Sequence, residues 1–137
     1  MVSYKISDVE GIGPTYAEKL KKNNIRSVNM FLKKCGTKSG RKDVAEKTGI
    51  DETLILKWVN MADLYRIKGI GSEYSELLEK AGVDTVKELK TRKAENLHAK
   101  LVEVNSEGRQ LVRQLPGLKM VQKWIEEAKT LKPMITY

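Results

Sequence analysis

Apolar residues recur three and four positions apart along most of the chain, and no stretch sustains the alternation of a half-buried strand. The pattern predicts an all-α protein of about eight to ten short helices. Leu54, Ile55, Trp58, Ala62 and Tyr65 share one broad face behind Asp51, a residue suited to cap a helix, and neither Gly nor Pro interrupts the run before Gly69. That helix is expected to join two parts of the chain. Further on, Ala81-Gly82 ends one helix, and Thr85-Val86-Lys87-Glu88 has the spacing of a capping box. Pro116-Gly117 opens a last helix carrying Val121, Trp124, Ile125 and Ala128.

Self-comparison shows a duplication. Ile6-Ser7-Asp8-Val9-Glu10-Gly11-Ile12-Gly13 recurs as Leu64-Tyr65-Arg66-Ile67-Lys68-Gly69-Ile70-Gly71, an offset of 58. Tyr16, Leu20, Ile25, Ser27 and Val28 then fall on Tyr74, Leu78, Val83, Thr85 and Val86 at that offset. Lys57-Trp58-Val59 and Ala62 match Lys123-Trp124-Ile125 and Ala128 at an offset of 66, so the second copy carries eight extra residues. These are expected between Lys90 and Gln110, where Leu97, Lys100, Leu101 and Val104 suggest one added amphipathic helix. The organisation read from this is a first repeat over 1–63, a second with an inserted helix over 64–131, and a tail over 132–137. The tail, beyond a helix end, is expected to trail or to dock in extended form, with no function assigned.

Composition narrows the function classes. The 137 residues hold 26 Lys and Arg against 18 Asp and Glu, a formal charge of +8. A single cysteine, Cys35, and a single histidine, His98, exclude a disulfide framework and a conventional Cys/His zinc site. The first residues begin no apolar leader, and no stretch approaches a membrane span, so a soluble, cytoplasmic protein is expected. No P-loop, metal box or nucleophilic triad appears in a credible order, and no enzyme activity is expected.

The chemistry lies in the repeated Gly-Ile-Gly. The first glycine can take positive φ to end a helix, the isoleucine can anchor the turn in the core, and the second glycine permits close approach of a ligand. With Pro14 in the first turn of the helix that follows, the free amides and the positive helix end form a small site for a phosphate oxygen.

On these residues the chain resembles the helix-hairpin-helix family. Val9, Gly11, Ile12, Gly13, Ala17 and Leu20 fit its pattern, as do Ile67, Gly69, Ile70, Gly71, Ser75 and Leu78, with Ser75 in place of alanine. Thr48-Gly49-Ile50-Asp51 and Leu115-Pro116-Gly117-Leu118 resemble the degenerate second hairpins of paired units. The tandem arrangement, with Lys57-Trp58-Val59 and Ala62-Asp63-Leu64, is similar to a bacterial and archaeal group catalogued as a domain of unknown function. The wider resemblance implies sequence-independent contact with the DNA backbone through hairpin amides and nearby Lys or Arg. It also implies, in some members, a monovalent cation held by hairpin carbonyls, and no other cofactor.

Charge then ranks the repeats. Residues 19–42 carry nine Lys or Arg and no Asp or Glu, whereas the equivalent 77–100 carry six against four. The expected phosphate-binding set is Gly11, Ile12, Gly13, Lys19, Lys22, Arg41 and Lys42, with a second set of Arg66, Lys68, Gly69, Ile70 and Gly71. Glu73, Glu76 and Glu79 follow the second turn and compete with phosphate for its amides. Two alternatives stand beside DNA binding. The turns also serve as plain structural corners, and a protein partner, engaged through the acid-rich second repeat, would make the chain an adaptor or scaffold.

Overall fold

The computed structural model describes residues 4–137; residues 1–3, where the first repeat begins, lie outside that range. A short 3-10 helix, Ile6–Asp8, precedes α1 (Pro14–Lys22), α2 (Val28–Cys35), α3 (Lys38–Thr48) and α4 (Glu52–Leu64). Then follow α5 (Ser72–Lys80), α6 (Val86–Leu89), α7 (Ala94–Ser106) and α8 (Leu118–Thr130). Among the described residues the only β feature is one bridge between Lys5 and Ser27.

Local chemistry sets most of these boundaries. The Ser27 hydroxyl accepts from the Met30 amide, Thr37 from Gly40, and Asp51 from Thr53, each satisfying a donor that the first helical turn leaves open. Gly49 ends α3 in the left-handed conformation. The expected capping box at Thr85 is only half made: Thr85 accepts from the Glu88 amide, but the Glu88 carboxylate turns to Arg92 at 2.9 Å. The helix begun at Asp51 also stops sooner than expected. After Leu64 the chain tightens into successive turns, with Ile67 donating to the Leu64 carbonyl, and reaches Gly69 in that form.

The helices correspond at the offsets of the duplication. Starts of α1 and α5 differ by 58, as do those of α2 and α6, while α4 and α8 are both thirteen residues long and 66 apart. In this correspondence α7 takes the place of α3 and is not an addition, which corrects the expected inserted helix. Three residues (49–51) separate α3 from α4, whereas eleven (107–117) separate α7 from α8, so the eight extra residues form a loop. Asn105 seals it: its carbonyl oxygen accepts from the Leu111 and Val112 amides, and its amide donates to the Val112 carbonyl at 3.1 Å. An apolar-period pattern cannot tell a displaced helix from an added one when the intervening loop also holds Leu and Val.

Each half has its own aliphatic core, one running from Ile6 to Tyr65 and the other from Leu64 to Ala128. Trp58 and Trp124 are buried at equivalent places, and each indole lies beneath the first glycine of its own half. Tyr16 packs edge-on to Trp58 with ring centres 5.0 Å apart, and Tyr74 lies 5.3 Å from Trp124. At the end of the first core, the Tyr65 hydroxyl donates to the Asp8 carbonyl at 2.9 Å and its ring meets Tyr4. Asp63 and Arg66 form a nearly buried pair at 2.9 Å, and Asp63 also accepts from the Val86 amide.

Residues 132–137 dock. They leave α8 and run back over the first half, where Met134 and Ile135 pack on its core and the Thr136 amide donates to the Gly36 carbonyl at 2.8 Å.

Gly11 and Gly69 have φ of +93° and +91°, and a Cβ at Gly11 would meet the Trp58 indole nitrogen at 3.1 Å. Substituting Ala at either position should lower the unfolding free energy by about 1–2 kcal/mol, measured by urea denaturation. Gly13→Ala, with ordinary φ and nothing within 4 Å, should cost less than about 1 kcal/mol.

Candidate nucleic-acid interface

The first Gly-Ile-Gly turn is open to solvent at both glycines, while Ile12 is 4 % exposed and fills the core beneath them. Its amide donates to the Val9 carbonyl at 3.0 Å, so Ile12 anchors the turn and leaves phosphate contact to its neighbours. Gly13 caps α1 and Pro14 occupies its first position. No described residue accepts from the amides of Gly11, Gly13, Thr15 or Tyr16. These donors sit at the positive end of α1, the arrangement that favours an anion.

The surroundings of that turn are not uniformly cationic. A cleft of about 640 Å³ beside it is lined by Tyr4, Asp8, Glu10 and, from the other half, Ser72. The Asp8 carboxylate accepts from the Lys5 amide, and Glu10 is exposed. Tyr4 and Ser72 carry no charge or motif that marks them in the sequence; only the fold brings them to the turn. Burial raises the Tyr65 phenol above its usual range, so it stays a donor to the Asp8 carbonyl.

Lys19, Lys21 and Lys22 stand on the last turn of α1, about 7.5 to 12 Å along the helix from Pro14 at 1.5 Å per residue. The amides at the head of α1 and these ammonium groups are therefore separate features of its surface. The lysines also offset the negative end of α1, which is a sufficient structural reason for them. Of the nine basic residues in 19–42, Lys34 pairs with Asp43 at 2.9 Å. Lys19, Lys21, Lys22, Arg26, Lys33, Lys38 and Lys42 are exposed and make no ion pair among the described residues.

Arg41 leaves the candidate set. It is 3 % exposed, and its guanidinium donates to the carbonyls of Cys35, Gly36 and Thr136. Its charge terminates α2 and holds the last residues in place. Arg66 is likewise removed from the second set, since it is bonded to Asp63 and to the Lys132 carbonyl.

The second turn repeats the backbone of the first. Ile70 is fully buried with its amide on the Ile67 carbonyl, and Gly71 caps α5. Its chemistry differs. Lys68 is exposed, yet its amide donates to the Glu127 carboxylate at 3.2 Å, and Glu73 lies in the first turn of α5. Carboxylates therefore stand on both sides of this turn, one on the Lys68 amide and one in the first turn of α5.

The monovalent cation implied by the resemblance finds suitable donors at the first turn. The Glu10, Gly11 and Ile12 carbonyls accept no backbone hydrogen bond from described residues, and uncharged oxygens of this kind suit a hard cation. Cys35 is fully buried, and burial pushes its thiol up to about 12 from 9.0. His98 is half-buried in the body of α7 and caps no helix.

Arg41→Ala should lower unfolding free energy by about 2–4 kcal/mol, whereas Lys42→Ala should change it by under about 0.5 kcal/mol, compared by thermal and urea denaturation. For Cys35 the folded pKa lies above the unfolded one. Its stabilising contribution is therefore complete below pH 9.0 and is lost as pH rises towards about 12. Cys35→Ala should flatten that alkaline limb in urea midpoints measured across the range.

No helix among the described residues is long and apolar enough to cross a membrane. Residues 10–131 match the model of a protein family described as Domain of unknown function (DUF4332). No curated protein and no solved structure matches the chain. The match spans both glycine turns and all eight α-helices, and the chain belongs to this family of unknown function.

Proposed function

We propose that this chain is a tandem helix-hairpin-helix module of the cytoplasm that binds duplex or branched DNA without sequence specificity. The first Gly-Ile-Gly turn and the cations of the first half contact the phosphate backbone. One observation carries this reading: solvent-open amides of Gly11, Gly13 and Thr15 at the positive end of α1 share a half with seven exposed cations that have no ion-pair partner among the described residues. Lys19, Lys22 and Lys42 supply point charges at separate phosphates. Base reading is not supported, because the cationic segment lacks a helix face of Arg, Asn and Gln. Its single aromatic, Phe31, is fully buried and cannot stack on a base.

Duplex binding followed by fluorescence anisotropy between about 50 and 200 mM salt should show a log–log slope of roughly −2.7 to −4.5, for three to five phosphate contacts. Lys22→Glu and Lys42→Glu should each reduce that slope by about one and weaken binding severalfold, with stability unchanged. A slope unaffected by both substitutions, or equal affinity for duplex, RNA and heparin, would replace this reading with simple polycation behaviour.

The second turn favours a second reading for its own half. With Glu127 on the Lys68 amide and Glu73 at the head of α5, that corner suits a protein partner, and the chain would then act as an adaptor. Recovery of one stoichiometric partner, unaffected by nuclease and moderate salt, is the result that would select it.

A further inference from the structure

Residues 132–137 are rooted in the second half, yet their seat is on the first. Arg66 holds the Lys132 carbonyl at the junction. Beyond it, Met134 and Ile135 pack on the first core, Thr136 exchanges hydrogen bonds with Gly36 and Arg41, and the Tyr137 hydroxyl donates to Asn60 at 3.0 Å. A Cβ at Gly36 would collide with the Met134 carbonyl and with that of Leu32, so this glycine serves both the end of α2 and the docking of the segment. The halves also meet along α4 and α5, where Lys57 pairs with Glu79 at 3.8 Å, at Tyr4 beside Gly71, and where Asp63 reaches the start of α6. Two small cores with separate interiors move relative to one another unless something restrains them.

We infer that residues 132–137 are a strap that fixes the angle between the halves and, on the DNA-binding reading above, holds the acidic head of α5 against the first glycine turn as an autoinhibitory contact. Ser72 lines the same cleft as Gly11 and Gly13, and Glu73 and Glu76 follow it on α5. Glu76 is paired with Arg109 at 3.3 Å, whereas Glu73 is exposed and makes no ion pair among the described residues. A phosphate approaching Gly13 meets the like charge of exposed Glu73. Lifting the strap lets the second half swing away and removes it.

The test uses the full chain, with spin labels on Glu46→Cys and Lys119→Cys in opposite halves; buried Cys35 stays unlabelled in the folded protein. Ile135→Asp removes the apolar seat, and Thr136→Pro removes the amide that Gly36 accepts. Both should broaden the interlabel distance distribution while helix content by circular dichroism is retained, and both should tighten duplex binding about threefold. Unchanged distributions in both variants would overturn the strap. Broadening with unchanged duplex affinity would overturn the autoinhibitory role. Absence of duplex binding in all forms would sink the DNA-binding reading, while the distances still decide the strap. Should both variants lose helix, hydrogen exchange in the unsubstituted chain decides: the Thr136 amide is expected to open at lower free energy than the Leu20 amide, and equal values would overturn the proposal.

Discussion

Each half of the molecule closes by laying its opening glycine turn on an indole supplied by its own last helix. At Gly11 two requirements coincide, a φ of +93° and a Trp58 ring that would crowd a Cβ at 3.1 Å; Gly69 repeats the first with a φ of +91°, while Trp124 at 3.4 Å would give a Cβ ordinary contact. Because Trp58 lies on α4, the geometry of the first turn is a property of the completed half. The amides at the head of α1 take their direction from a helix that the chain reaches only after two intervening ones. This packing is indifferent to any ligand. It accounts for two turns with the same backbone beside neighbourhoods of opposite charge, since the indole constrains the glycine and leaves the surface free to diverge.

The two half-cores meet at a junction where charge serves architecture. Asp63 and Arg66 are almost fully removed from water, and such a pair is stabilising only when its remaining donors and acceptors are satisfied. They are: Val86 donates to the acid, and the Lys132 carbonyl accepts from the guanidinium. Arg41 meets the same condition with three carbonyls. Removing one partner leaves a buried charge unanswered, which is why these arginines tolerate less change than the lysines around them.

Much of this was legible in the sequence, and the exceptions have physical causes. Helix positions, the duplication at offsets 58 and 66, the positive φ of Gly11 and the burial of Trp58 follow from local rules that act within a few residues. Arg41 and Arg66 could not be placed that way, because a formal charge reads the same whether a guanidinium faces water or a cage of carbonyls assembled from distant segments. The identity of α7 was misread for a related reason. Register between repeats is fixed by what a helix packs against, and its apolar spacing is shared with any other helix. The loss of Ile12 from the phosphate-binding set rests on a tight turn's internal bond to Val9, which lies below what a three-residue motif can specify.

With Arg41 withdrawn from the surface, the exposed cationic face of the first half is lysine apart from Arg26. Ammonium groups on four-carbon stems are compact, strongly hydrated and free to rotate, whereas a planar guanidinium presents the fork that matches the O6 and N7 edge of guanine. On the DNA-binding reading, such a surface would track charge density and adapt to small variations in groove width. It would have almost no means of telling one base pair from another.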